Sequence, residues 1–268
     1  MKDKIVLITG GSRGIGKAVA ETLATAGALV VITARTQNEL DQTAKEIRAK
    51  NGRVLALAAD VTDYDQLLEL KQTVHQQLGK LDIAVINAGV IEPVNPGWKC
   101  DARTWQKNID INLSGAFLTT HVALNDMVEK GSGTIIFISS GAASHPVAGW
   151  SAYCAAKAGV DHLNRTLAHE LSQADLDIKT YSVYPGIVST AMQEVIRTKT
   201  REEFPSVERF RGYYENDMLR SPQDPANLIL WLCKTNPDHL NGQVVSIDED
   251  SIRTQMAKDL GIEKPQSR

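Results

Sequence analysis

Tyr153 and Lys157 stand four residues apart in the stretch SAYCAAK, residues 151–157. If that stretch is helical, the two side chains share a face, a little over one turn apart. A free phenol keeps its proton up to a pKa of about 10. An ammonium group beside it favours the phenolate and lowers that value, making the phenol a usable acid near neutral pH. A shift of about two units needs only about 2.7 kcal/mol. A nearby unit charge at intermediate dielectric is worth that much. The chemistry such a pair suits is protonation of an oxygen on which negative charge is building. The spacing alone arises easily by chance, so the surrounding elements have to carry the argument.

A second constellation lies near the start of the chain. TGGSRGIG, residues 9–16, follows an apolar run and opens an amphipathic segment. Gly10 permits a tight turn there, and Gly14 and Gly16 allow close backbone approach to a pyrophosphate and close helix–sheet packing. With Ser12, Arg13 and Ile15 they form a loop that hands phosphate to a helix N-terminus, where donors and partial positive charge converge. A site for a nicotinamide dinucleotide with a free ribose 2′-hydroxyl usually has Asp or Glu at the end of the next strand. This chain has Ala34 and Arg35 in TARTQ, residues 33–37. Guanidinium binds phosphate in bidentate fashion, so Arg35 and Arg13 together predict a 2′-phosphate and hence NADP(H). Asp60, followed by Val61, either accepts from an adenine amino group or helps cap the next helix. Asn87, Ala88 and Gly89 either carry the chain past a flat ring without bulk or make an ordinary strand-ending turn.

The elements that must position these groups alternate along the chain. Short β-rich runs at 4–9, 29–34, 53–59, 81–87, 133–140, 177–185 and 242–247, most of them continuously apolar, read as strands covered on both faces. Helix-like segments fall at about 15–27, 38–50, 64–79, 103–130, 151–174 and 222–235. Thr62 with Asp65 resembles a capping box, and Ser221-Pro222 a helix start. The alternation predicts an α/β fold: one Rossmann-like, doubly wound parallel sheet of about seven strands with helices on both faces. One domain would span 1–250. A polar, aromatic-dotted insertion at 189–220 interrupts the rhythm and reads as a substrate lid. Residues 251–268 read as a loosely held tail.

Composition removes other classes. A formal net charge of −3 gives no basic field for nucleic acid or anionic membrane. Cys100, Cys154 and Cys233 form neither a disulfide framework nor a metal site, which suits a reducing cytoplasm. Cys154 reads as a small packing residue beside Tyr153. The N-terminus has neither the h-region nor the cleavage site of a signal peptide, and no apolar stretch is long enough to span a membrane.

Taken in order, TGGSRGIG, the Asp60-Val61 pair, NAG at 87–89, DINLSG around Asn112, ISS at 138–140, YCAAK at 153–157 and PGIVST at 185–190 resemble the short-chain dehydrogenase/reductase family over residues 4–247. The resemblance implies nicotinamide-dependent carbonyl/alcohol chemistry and a catalytic tetrad of Asn112, Ser140, Tyr153 and Lys157. Ser140 would hold the substrate oxygen, and Lys157 would also hold the nicotinamide ribose. Asn112 would kink its helix and hold a water that supports Lys157. Pro185, Gly186, Val188 and Thr190 would join the cofactor contacts. Residues 189–232 are similar to the sepiapterin reductase and benzil (diketone) reductase branch. Sepiapterin reductases anchor pterin on a C-terminal acid, for which Asp248, Glu249 and Asp250 are candidates. By position the substrate wall would comprise Gly141, Ala142, His145, Trp150, Ile187, Met192, Gln193, Phe204, Tyr213 and Tyr214, suiting a flat or bulky carbonyl compound. Family members commonly associate through the helices at about 103–130 and 151–174, so a homodimer or homotetramer is expected. The leading function is therefore NADPH-dependent reduction of a ketone or diketone. The alternatives are oxidative alcohol dehydrogenation and non-catalytic nucleotide sensing.

Overall fold

The computed structural model describes residues 1–266. Ser267 and Arg268, the end of the expected tail, lie outside the described residues. The seven apolar runs become strands β1 (Ile5–Thr9), β2 (Leu29–Ala34), β3 (Arg53–Ala58), β4 (Ile83–Ile86), β5 (Ser132–Ile138), β6 (Asp177–Tyr184) and β7 (Val244–Ser246). They form one sheet in the order β3-β2-β1-β4-β5-β6-β7. Every pair is parallel. The order reverses between β1 and β4, and in open parallel sheets the crevice at that point takes the ligand.

The helices are α1 (Gly14–Thr25), α2 (Gln37–Ala49), α3 (Tyr64–Gln77), α4 (Ala102–Ile109), α5 (Gly115–Lys130), α6 (Ser151–Gln173), α7 (Ala191–Arg197), α8 (Val207–Glu215), α9 (Gln223–Thr235) and α10 (Asp250–Leu260). Alternate residues of each strand feed two cores. Val6, Ile8, Val30 and Ile32 pack with Leu23, Ile47, Trp231 and Met256 on one face. Leu7, Val31, Ala84 and Phe137 pack with Val74, Met127 and Leu167 on the other. This double burial is why the strands read as continuous apolar runs. No helix among the described residues is long and apolar enough to cross a membrane.

Four local expectations change. The capping pair at α3 is Asp63 and Gln66: Gln66 N donates to Asp63 Oδ1 at 3.1 Å, and the Gln66 amide returns to Oδ2 at 2.8 Å. Thr62 is unavailable, because its N–H and hydroxyl both donate to Asp60 Oδ1. Pro222 sits at the cap of α9, one residue before the helix. The segment 103–130 is no single helix; a π-helical turn over Asp110–Ser114 separates α4 from α5. Residues 251–260 are no loose tail, because α10 buries Ile252, Arg253, Met256 and Ala257. Apolar residues at 252, 256 and 257 share a helical face, a pattern too short to stand out in the sequence.

The insertion carries α7 and α8. Its two ends meet: Arg220 N donates to Ile187 O at 2.8 Å, and Ser189 N donates to Arg220 O at 2.9 Å.

Candidate active site

One cleft of about 1580 Å³ runs across the carboxyl ends of the strands, from the glycine loop to the underside of the insertion. Such a volume exceeds the common small-molecule pocket and has room for a dinucleotide with a second molecule.

At the first end, Gly10 has φ +64° and Gly14 φ +54°, conformations that L side chains rarely adopt. Gly16 answers to packing alone, because an added Cβ would stand 2.3 Å from Gly10 O. It does not line the cleft, so the expected approach to phosphate falls to Gly14 and Ile15. No side chain caps α1, and its first turn holds no acid. First-turn N–H groups of such a helix have no intrahelical partner, and here they sit beside Arg13 at the cleft wall. Thr9 is a residue the sequence reading missed. Its buried hydroxyl accepts from the N–H groups of Asn87 and Ala88, each at 3.0 Å. The Asn87 amide donates to Thr9 O and Gly10 O at 2.8 and 3.2 Å. Asn87 thus rivets the end of β4 to the glycine loop, while Ala88 and Gly89 line the cleft.

Ala34, Arg35 and Thr36 line the same end. Neither Arg13 nor Arg35 enters an ion pair among the described residues, whereas Lys17, one turn into α1, pairs with Glu46. Ser12 donates its hydroxyl to Glu39 at 3.1 Å. Asp60 and Val61 line the wall too, although one Asp60 oxygen already holds Thr62.

In the middle of the cleft, α6 brings Tyr153 and Lys157 to the end of β5. Ala152 and Ala156, both buried, let the helix lie close. Ser140 caps the short turn Gly141–Ala143, its Oγ accepting from Ala142 N at 3.2 Å. The Ser140 hydroxyl stands close enough to the Tyr153 phenol to hold its pKa down. Lys157 Nζ lies 5.6 Å from the Tyr153 ring centroid and donates to Ile138 O at 2.6 Å. Ser139, the neighbour that could have been confused with Ser140, keeps a buried hydroxyl without a partner.

The electrostatics differ from the expectation of a phenol made acidic by lysine. Burial pushes the Tyr153 phenol up to about 12; the Ser140 hydrogen bond opposes this and Cys154 adds slightly to it. Burial pushes Lys157 down to about 8, against the attraction of Asp161 one turn further along α6. Desolvation therefore outweighs the pair's mutual effect among the protein's own groups.

Asn112 stands in the π-helical turn and away from the cleft lining. Its Oδ1 accepts from Val90 N at 3.0 Å, and its Nδ2 donates to Val90 O and Asn108 Oδ1, both at 2.8 Å. The kink is present, but the side chain is committed to the loop that follows Gly89. It positions Val90 and Ile91, which line the cleft. Buried Asn108, which donates to Glu92 O at 2.7 Å, does the same work and was not foreseen.

At the far end, Gly141, Ala142, His145, Trp150, Ile187, Met192 and Gln193 line the wall as expected. Phe204 does not. It is fully buried behind Trp150, with the rings stacked at 4.9 Å and 10°. Tyr213 on α8 lines the cleft as expected, and Phe210, which was not foreseen, lines it in place of Phe204. Tyr214 points outward, with the Arg197 guanidinium 4.2 Å from its ring. The acids of SIDEDS also fall elsewhere. Asp248 pairs with Arg220, Asp250 pairs with Arg253 and Lys264, and Glu249 occupies the N-cap position of α10 without a side-chain bond to it. None of the three lines the cleft, so none stands where a pterin anchor would. Pro185, Gly186, Val188 and Thr190 line the wall between the two ends.

A parallel sheet of this order, with a glycine-rich first turn and a Ser-Tyr-Lys cluster at its carboxyl edge, defines a dinucleotide-dependent oxidoreductase scaffold. The family model described as short chain dehydrogenase matches residues 4–201, and the chain belongs to that family. It is similar to a Saccharomyces cerevisiae benzil reductase ((S)-benzoin forming), with 32% identity covering 93% of this chain and 97% of the other. It is also 32% identical to the 3-oxoacyl-acyl-carrier-protein reductase of Thermotoga maritima, over 92% and 97% of the two chains. Among solved structures, a short chain dehydrogenase/reductase from Saccharomyces cerevisiae superposes with a TM-score of 0.84 at 32% identity, covering 94% and 98% of the chains.

Proposed function

We propose that this protein is an NADPH-dependent reductase of ketone or vicinal diketone carbonyls. The observation that carries the reading is the Tyr153 phenol, set between Ser140 and Lys157 midway along a cleft that starts at an uncapped helix. The residues fit the cofactor. Gly14 and Ile15 would meet the pyrophosphate, Arg13 and Arg35 the 2′-phosphate, and Asp60, Val61, Ala88 and Gly89 the adenosine. Pro185, Gly186, Val188 and Thr190 would hold the nicotinamide end, with Lys157 on its ribose. When bound, the reduced nicotinamide supplies hydride.

Ser140 holds the substrate oxygen, and its hydroxyl stabilises negative charge developing there. Tyr153 gives that oxygen its proton. An alkoxide is a far stronger base than a phenolate, so the transfer runs downhill even from a phenol near 12. A charged Lys157 then favours the phenolate left behind. A phenol held protonated favours reduction over the oxidative direction, which needs phenolate to start. Retention of both Tyr153 and Lys157 at the cleft supports turnover over nucleotide sensing alone. The aromatic and aliphatic wall, together with the benzil reductase relative, supports a bulky dicarbonyl substrate. Half-exposed Phe117 and Val128 on α5 support association with a second copy. Free thiols at Cys100, Cys154 and Cys233 support a reducing compartment.

The test is the decay of NADPH absorbance with benzil as substrate. Turnover is expected, with one hydroxyketone formed per NADPH consumed. Above its pKa Lys157 loses its charge, so the rate should fall as pH rises through about 8. No consumption of NADPH across a panel of ketones and diketones would refute the reading.

A further inference from the structure

Arg220 is fully buried, the largest such side chain among the described residues, and the chemistry above does not use it. Its surroundings are specific. Nε and Nη2 both donate to Asp248 Oδ1, at 3.2 and 2.5 Å. Nη1 donates to Gln266 O at 2.8 Å and lies 3.7 Å from Asp224 Oδ2. Gly186 rests directly on the side chain: a Cβ there would stand 2.8 Å from Arg220 Nε and 2.9 Å from its Cδ. The backbone of Arg220 pairs with Ile187 and Ser189 through the two hydrogen bonds that close the insertion. One residue therefore supports the floor and the edge of the Gly186–Ser189 wall, all four residues of which line the cleft.

The counter-charge is itself fixed. Buried Arg253 donates to Ile247 O and Asp248 O at 3.1 and 2.7 Å, holding the backbone that presents Asp248. The guanidinium is buried while Asp248 is partly exposed, so losing the carboxylate would leave a buried charge short of its counter-ion, and Asp248 thereby holds the guanidinium in place.

We infer that Arg220, oriented by Asp248, is a positioning residue that sets the Gly186–Ser189 wall against the nicotinamide end of the cleft and fixes where the insertion closes. It touches neither substrate nor cofactor, and acts through Gly186 and through its own backbone. A displacement of about 1 Å in such a wall costs binding and orientation heavily. The inference rests on the reductase reading only for its kinetic readout.

The experiment compares Arg220→Met, Arg220→Lys and Asp248→Asn with the wild type. NADPH binding is followed by fluorescence, and KM and kcat are measured with benzil. Trypsin cleavage at Arg197, Lys199, Arg201, Arg209 and Arg211, and the melting temperature, complete the set. Arg220→Met is expected to weaken NADPH binding and raise the KM for benzil about tenfold, with kcat within about threefold and faster cleavage of the insertion. Arg220→Lys should recover only part, because an ammonium group cannot reproduce the fork. Asp248→Asn should show the same pattern at smaller amplitude. If Arg220→Met does not fold, Asp248→Asn decides on the same readouts. A lowered melting temperature with unchanged NADPH affinity and unchanged KM overturns the inference, leaving Arg220 a core residue only. If the wild type binds NADPH yet reduces no carbonyl, the reductase reading fails, while the binding and proteolysis readouts still judge Arg220.

Discussion

The two ends of the cleft are built from different materials. At the glycine-loop end the wall is largely backbone, fixed by short-range bonds such as those of Thr9 and Asn87. Those bonds tie β1 to β4, so the loop inherits the rigidity of the sheet. At the insertion end the wall is side chain: Trp150 stacked on Phe204, with Phe210 edge-on to Trp150 at 5.3 Å. That end is a separate small core, with Ile91, Val94, Ile196 and Val207 in it, and it is distinct from the two cores that flank the sheet. Backbone walls suit a ligand that never changes, whereas side-chain walls can be re-cut residue by residue without moving a strand.

This contrast can be broken by substitution. Tyr153 stands where the ends meet, and its loss should be the most damaging. Tyr153→Phe removes the proton donor and should lower kcat by about 10² to 10⁴, while NADPH affinity by fluorescence stays near wild type. Retention of wild-type rates would remove the phenol from the mechanism. The next effect belongs to the glycine-loop end. Each charged hydrogen bond lost is worth about 1.5–3 kcal/mol. Arg35→Ala should therefore weaken NADPH about ten- to a hundredfold and leave NADH nearly unaffected. Equal losses for both cofactors would mean that Arg35 does not read the 2′-phosphate. The smallest catalytic effect should come from behind the aromatic wall. Phe204→Ala should cost about 3–5 kcal/mol of stability, seen by denaturant melting, with a few-fold rise in KM for the carbonyl and no change in NADPH affinity. If NADPH affinity fell in step with stability, the two ends would not be independent.

The same contrast explains what was legible in the sequence. The central strands β1, β2 and β4 were readable because burial on both faces leaves them few polar positions, and the strand-end motifs because each needs a particular residue type at a fixed place. Tyr153, Ser140 and Lys157 fell together because helix spacing and strand ends are local properties. The pKa balance was not legible, since desolvation depends on what surrounds a group and not on its neighbour four residues on. The exchange of Phe204 for Phe210 has a similar cause. Which aromatic of a two-helix insertion faces inward is set by how α7 and α8 pack on Trp150, and short helices carry little periodic signal. Asn112 showed its kink but not its partners, because Val90 and Asn108 become neighbours only once the π-helical turn has formed. The SIDEDS acids looked like ligand anchors because the sequence does not reveal the arginines that fold onto Asp248 and Asp250.

Because the chain leaves the sheet at Ser189 and comes back beside it at Arg220, the thirty-odd residues between behave as a cassette on a single socket. The entropy of closing such an excursion changes only slowly with its length. Swapping or trimming the part of the cassette beyond Thr190 should leave the registers of β6 and β7 where they were, so the far wall can be rewritten by recombination while the glycine-loop end keeps its shape.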